Sequence, residues 1–129
     1  MNKLLLISSI TLWVTVSIGS ALSRRRGWYG AYWYTDIILH TLSGVALGLL
    51  WMGINKKPEQ TSRTLYIVSV MSFAVFGSFI WELWEWSGLH FTPSHSQFYK
   101  PELGDTLLDI TCGGTGGLAV AVTYISKPT

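Results

Sequence analysis

Charge is scarce in this 129-residue chain: only 12% of residues are charged, against 49% hydrophobic and 14% aromatic. Soluble domains carry roughly 25% charged residues. The shortage excludes intrinsic disorder, which needs high charge and low hydrophobicity. It also argues against an ordinary soluble domain, as does the positive mean hydropathy of +0.35. A single cysteine, Cys112, excludes a disulfide framework within the chain. Basic residues are few, and their densest run is only Arg24–Arg26, so nucleic acid is not an expected partner. The length allows one domain.

What the chain has instead is long apolar runs. A membrane-spanning helix needs ~20 mostly apolar residues, and four stretches qualify: about Leu4–Leu22, Ala31–Ile54, Leu65–Gly88 and Asp105–Ser126. All four prolines (Pro58, Pro93, Pro101 and Pro128) fall outside them, where helix interiors are spared. The expected fold is therefore all-α, a four-helix integral membrane bundle forming a single four-span domain over residues 1–129. Trp28, Tyr29, Tyr32, Trp33 and Tyr34 gather where the second span begins, as an interfacial aromatic belt does. Gly19-Ser20-Ala21 resembles a leader cleavage site, but the first run is read as a retained span.

Four spans put both termini on one side. That side, with the second connection, carries Lys3, Lys56, Lys57, Arg63 and Lys127. The other carries Arg24–Arg26 and Lys100. Five against four places the termini in the cytoplasm by the positive-inside rule.

The acids are distributed differently. None of the nine basic residues lies inside a span, yet Asp36, Glu82, Glu85, Asp105 and Asp109 do or sit at a span's end, and His40 joins them. Ionisable groups in spans are costly and usually functional. Without a Lys or Arg in a neighbouring span, these carboxylates must bind metal, share protons or face water.

Their spacing is regular. Asp36 and His40 are i,i+4, Glu82 and Glu85 are i,i+3, and Asp105 and Asp109 are i,i+4. Each pair shares a helix face, and the topology brings all three to one half of the bilayer. The second span then continues to Gly44 and Gly48, and the fourth to Gly113 and Gly117, in the same four-residue steps. Each is a GxxxG pattern that lets membrane helices approach closely. Spans two and four are expected to touch through these glycines. Gly113, Gly114, Gly116 and Gly117 lack a following lysine and sit in mid-span, so they read as helix packing rather than a phosphate loop. Cys112 among them reads as packing too.

Metal ligands are thus expected at Asp36, His40, Glu82, Glu85, Asp105 and Asp109. Glu82 or Glu85 is left free to act as a catalytic general base. The set is hard and oxygen-rich, which favours Mg²⁺, Mn²⁺ or Fe²⁺ and admits Zn²⁺ or Ca²⁺. Such a site suits hydrolysis or transfer at a lipid or lipid-linked phosphate. His90 and His95, in the third connection, are read as solvated. Arg24–Arg26 reads as an anchor to anionic lipid, or, lying on the acid side, as a contact for a phosphate headgroup.

Two other classes compete. A cation or proton transporter, as a homo-oligomer, would spread its acids along a path, whereas these crowd into one membrane half. A small accessory subunit of a larger membrane complex would copurify with stoichiometric partners.

The segments Asp36-Ile-Ile-Leu-His40, Trp81-Glu82-Leu-Trp-Glu85-Trp86 and Gly104-Asp105-Thr-Leu-Leu-Asp109 resemble the YjdF-like bacterial inner-membrane family and, more distantly, VanZ-like membrane proteins. The resemblance covers spans two to four. It departs from the VanZ-like pattern in lacking a Glu-x-x-Gln pair and an Asp…Asn pair. It implies a prokaryotic membrane protein and supplies no established reaction.

Overall fold

The computed structural model describes residues 1–91 and 102–125. The described chain is all-α: α1 (Lys3–Arg26), α2 (Trp28–Ala31), α3 (Tyr34–Ile54), α4 (Arg63–Phe91) and α5 (Leu103–Ile125). Four of these, all but the short α2, are long and apolar enough to cross a membrane. Their outer faces stay apolar: Leu4, Ile7, Ile10 and Ile18 of α1 and Leu65, Phe76, Phe79 and Leu83 of α4 are exposed. In water this area would be an aggregation liability; in a bilayer it is the lipid contact.

The helix ends differ from the sequence expectation in an instructive way. The side chain of Asn2 accepts from the N–H groups of Leu4 and Leu5 and starts α1. The helix does not stop at Leu22 but runs through Arg24–Arg26. Arginine is a good helix former, and cations suit the negative end of the helix dipole. Termination waits for Gly27, whose φ of 68° is left-handed and whose N–H returns to Arg24 and Ser23 carbonyls. The expected second span from Ala31 is divided: α2 is a separate turn, and the span proper begins at Tyr34. The helix of the third span continues past Gly88 to Phe91, placing His90 in its last turn rather than in a connection. His95, Lys100, Ser126 and Lys127 lie outside the described residues.

Gly27 provides a clean test of backbone strain. A Cβ added there would meet nothing within 4 Å, so only the left-handed conformation is penalised. Gly27→Ala should destabilise the protein by about 1–2 kcal/mol. Gly30→Ala, equally uncrowded but helical, should not. Paired SDS-unfolding titrations of the two variants check this.

Helix α3 is the hub, packing against α1, α4 and α5. Helix α5 also packs against α4, whereas α1 touches neither α4 nor α5 in the described residues. At the terminal side the backbone N–H of Asn2 donates to Gly53 O, and Tyr66 Oη donates to Asn55 O, both at 2.7 Å. These bonds tie the starts of α1 and α4 to the end of α3. Met52, Tyr66, Val70 and Ala121 form an apolar cluster at that end. In the second turn of α1, buried Ser9 donates to Ala46 O at 2.8 Å.

The α3–α5 seam is built on glycine, as the paired stripes predict. A Cβ at Gly44 would fall on the Gly113 backbone carbonyl, and one at Gly116 on the Thr41 carbonyl. One at Gly48 would lie 2.5 Å from Val120 Cγ1. On its other side α5 is equally close to α4: a Cβ at Gly113 meets Ser78 Oγ, and one at Gly117 lies 2.5 Å from Ala74 Cβ. Helices α3 and α5 run parallel, and the chain offset that sets Gly44 against Gly113 also sets His40 level with Asp109.

Candidate metal centre

That register determines which acids meet. His40 stands one helical turn before Gly44 on α3, and Asp109 one turn before Gly113 on α5. His40 Nε2 lies 3.7 Å from Asp109 Oδ2 and 3.4 Å from Asp36 Oδ1. One donor atom from each of Asp36, His40 and Asp109 can be chosen so that all lie within 4.8 Å of one another.

These separations leave room for a shared cation. Hydrogen bonds from nitrogen to oxygen run about 2.7–3.2 Å, and both contacts of His40 are longer. Two ligands of one ion stand at most twice the ligand–ion distance apart, about 4.0–4.2 Å for Mg²⁺ and about 4.6–5.2 Å for Ca²⁺. Both His40 contacts meet the shorter limit, and the 4.8 Å spread of all three donors meets the longer.

Burial sharpens the point. Asp109 is 1% exposed and its Oδ1 has no hydrogen-bond partner. Glu82 is 5% exposed and its Oε1 is likewise unpartnered. An unpaired buried carboxylate oxygen is expensive, so each calls for a proton or a cation. The donor set therefore fits a hard divalent ion: two carboxylates, one imidazole, and an orphaned oxygen at the most buried position.

The remaining candidates are close by but do not belong to the three-residue group. Glu82 and Asp105 face the same charge cluster, with Thr106 beside the Glu82 carboxyl. Glu85, three residues further along α4, lines a groove with His40 and feels the charges of Glu82 and Asp36. Gly44, Gly48, Gly113 and Gly117 all stand in the helix seams.

Sequence reasoning missed the hydroxyl groups around this centre. Ser17 and Ser20 of α1, Tyr29 of α2, Ser43 of α3 and Ser78 of α4 line the groove that reaches His40 and Glu85. Ser20 Oγ and Tyr29 Oη are hydrogen-bonded at 3.0 Å, and Arg24 Nη2 donates to Ser20 Oγ at 3.2 Å. Burial pushes the Tyr29 phenol above its ordinary value against the opposing pull of the Ser20 bond, so it keeps its proton at neutral pH. Serines inside otherwise apolar spans were the available signal, but serine commonly bonds its own helix backbone, as Ser69 does here.

Over residues 1–127 the sequence matches the model of a family described as "Predicted membrane protein (DUF2238)". No curated protein and no solved structure matches the chain. The chain belongs to that family of membrane proteins.

Proposed function

We propose, for this member of the DUF2238 membrane-protein family, that Asp36, His40 and Asp109 hold a divalent cation used in hydrolysis or transfer at a lipid or lipid-linked phosphate. The observation that carries the reading is the buried Asp109, with an orphaned oxygen, facing a histidine that also faces Asp36. Two carboxylates and one imidazole favour Mg²⁺, Mn²⁺ or Fe²⁺, with Zn²⁺ also admissible. When bound, such an ion supplies Lewis-acid charge to a phosphate oxygen and makes its water more acidic.

The chain's own residues supply the rest. Asp36 and Asp109 each bring a carboxylate oxygen to the Nε2 edge of the His40 ring. Glu85, beside His40 in the groove, is placed to take a proton from a nucleophile entering there. Glu82, buried next to the cluster, adds negative charge that holds a cation more tightly.

Metal analysis of the purified protein tests the reading. The wild type should retain a stoichiometric divalent ion after desalting. Both Glu82→Ala with Asp109→Ala and His40→Ala alone should lower metal affinity by at least about 100-fold, since even removal of a ligand's supporting partner typically costs 10–100-fold. Equal, near-zero metal in wild type and variants would sink the proposal.

A further inference from the structure

Among the described residues, helices α1 and α4 both pack on α3 but not on each other. The gap between them is a groove floored by α3 and capped by Tyr29. Its lining is sorted by depth. Ser20, Tyr29, His40 and Glu85 stand at the α2 end, whereas Trp13, Val16, Leu47 and Gly77 stand toward the bilayer middle. Between them, Ser17, Ser43 and Ser78 line the walls; the Ser17 and Ser43 hydroxyls make no hydrogen bond among the described residues, whereas Ser78 Oγ turns toward Gly113 of α5. Two free hydroxyls, in a gap that opens sideways between two lipid-facing helices, suit an occupant with polar atoms near one end.

The mouth of the groove carries charge of both signs, with Arg24 on its α1 side. Arg24 leans back along α1 to Ser20, and Ser20 joins Tyr29. No ion pair holds the Arg24 guanidinium among the described residues. Its neighbours Arg25 and Arg26 complete the last turn of α1. Facing the same space are Glu85, His40 and, beyond them, Glu82 and Asp36. A guanidinium with free donors, backed by two hydroxyls, matches phosphate oxygens. An apolar channel running inward from it matches an acyl or prenyl chain.

We infer that the α1–α4 groove binds a membrane lipid carrying a phosphate headgroup, the phosphate on Arg24, Ser20 and Tyr29 and the chain lying between α1 and α4. This names a docking site for the substrate class proposed above and rests on that reading for its catalytic meaning, though not for binding itself. It also gives the peripheral position of α1 a purpose: one wall of the site is a helix attached to the bundle, among the described residues, through α3 and α2.

The test is native mass spectrometry of the full chain in a neutral maltoside detergent with EDTA, so that metal occupancy plays no part. Phosphatidic acid should bind as a single adduct, at least about tenfold more tightly than diacylglycerol with the same chains. Arg24→Gln should erase most of that preference, Ser17→Leu should weaken both lipids by filling the groove, and Arg26→Gln should change neither. Equal affinity for the two lipids, or no response to Arg24→Gln and Ser17→Leu, overturns the inference. So does full displacement of phosphatidic acid by inorganic phosphate at the lipid's own concentration, since the chain would then contribute nothing. Lipid binding without any metal retention would instead sink the metal reading alone, and metal retention without lipid preference would sink the groove alone.

Discussion

Gly44→Leu is expected to yield almost no folded protein. The added Cβ alone would coincide with the backbone carbonyl of Gly113, which has no rotamer to escape into. Helix α5 cannot retreat either. On its far side Gly117 and Gly114 press against α4, where added Cβ atoms would lie 2.5 Å from Ala74 Cβ and 2.8 Å from Val75 Cγ2. Ordinary overpacking in a core costs about 1–3 kcal/mol. A backbone collision in a helix wedged on both sides belongs at about 3 kcal/mol or more. Gly104→Ala is the control, because a Cβ there meets nothing within 4 Å. It should be neutral or stabilise by about 0.5–1 kcal/mol, as alanine replaces glycine in a helix. Size-exclusion profiles and thermal melts in detergent separate the two cases; a monodisperse Gly44→Leu with an unchanged melt would contradict the packing described.

Asp109→Asn should move stability in opposite directions according to the metal. In chelator the wild type holds a buried carboxylate with one oxygen unpartnered. Replacing it with a neutral isostere removes a desolvated charge, and the one cation facing it, His40 at 3.7 Å, stands beyond hydrogen-bond range, so little pairing is lost with it. The melting temperature should therefore hold or rise. With divalent ion present at about 100 times its dissociation constant, the wild type should gain about 2.7 kcal/mol by mass action, and the variant should gain little. The wild-type gain should also shrink as pH falls, because the ligands must be deprotonated to bind and protons compete for the same atoms. Melts at two pH values, with and without metal, read all three effects. A variant that melts lower than wild type in chelator would mean Asp109 is a structural partner rather than a vacant ligand.

Much of this arrangement was legible in the sequence. Intervals of three and four residues are enough to place Asp36 with His40, Glu82 with Glu85, and Asp105 with Asp109 on shared faces. The glycine steps that continue two of those faces indicated the α3–α5 seam. What the intervals could not show was rotation about the third helix. Glu82 and Glu85 differ by less than a full turn, yet one is buried near the cluster and the other opens on the groove. That division depends on how α4 leans on both α3 and α5. The place of α1 was equally hidden, because a helix that is apolar nearly all round has no preferred face to read. Arg24–Arg26 looked like a connection because cations end apolar runs, but they are also good helix formers, and the glycine after them marks the true stop.

The shared offset between α3 and α5 has a consequence for how the centre could change. An α-helix advances about 1.5 Å and turns about 100° per residue. A slip of one residue between α3 and α5 would thus swing Asp109 out of reach of His40 while leaving every donor in place along the chain. The glycine seam acts as a gauge for the distances between donors that lie a turn away from it. An alanine at Gly48, which bears no ligand and where the added Cβ meets the Val120 side chain rather than backbone, should spread the donor atoms and convert a three-point grip on a cation into a two-point one. On the metal reading proposed above, selectivity among ions of different radius would depend on the thickness of the seam as much as on the carboxylates and the imidazole.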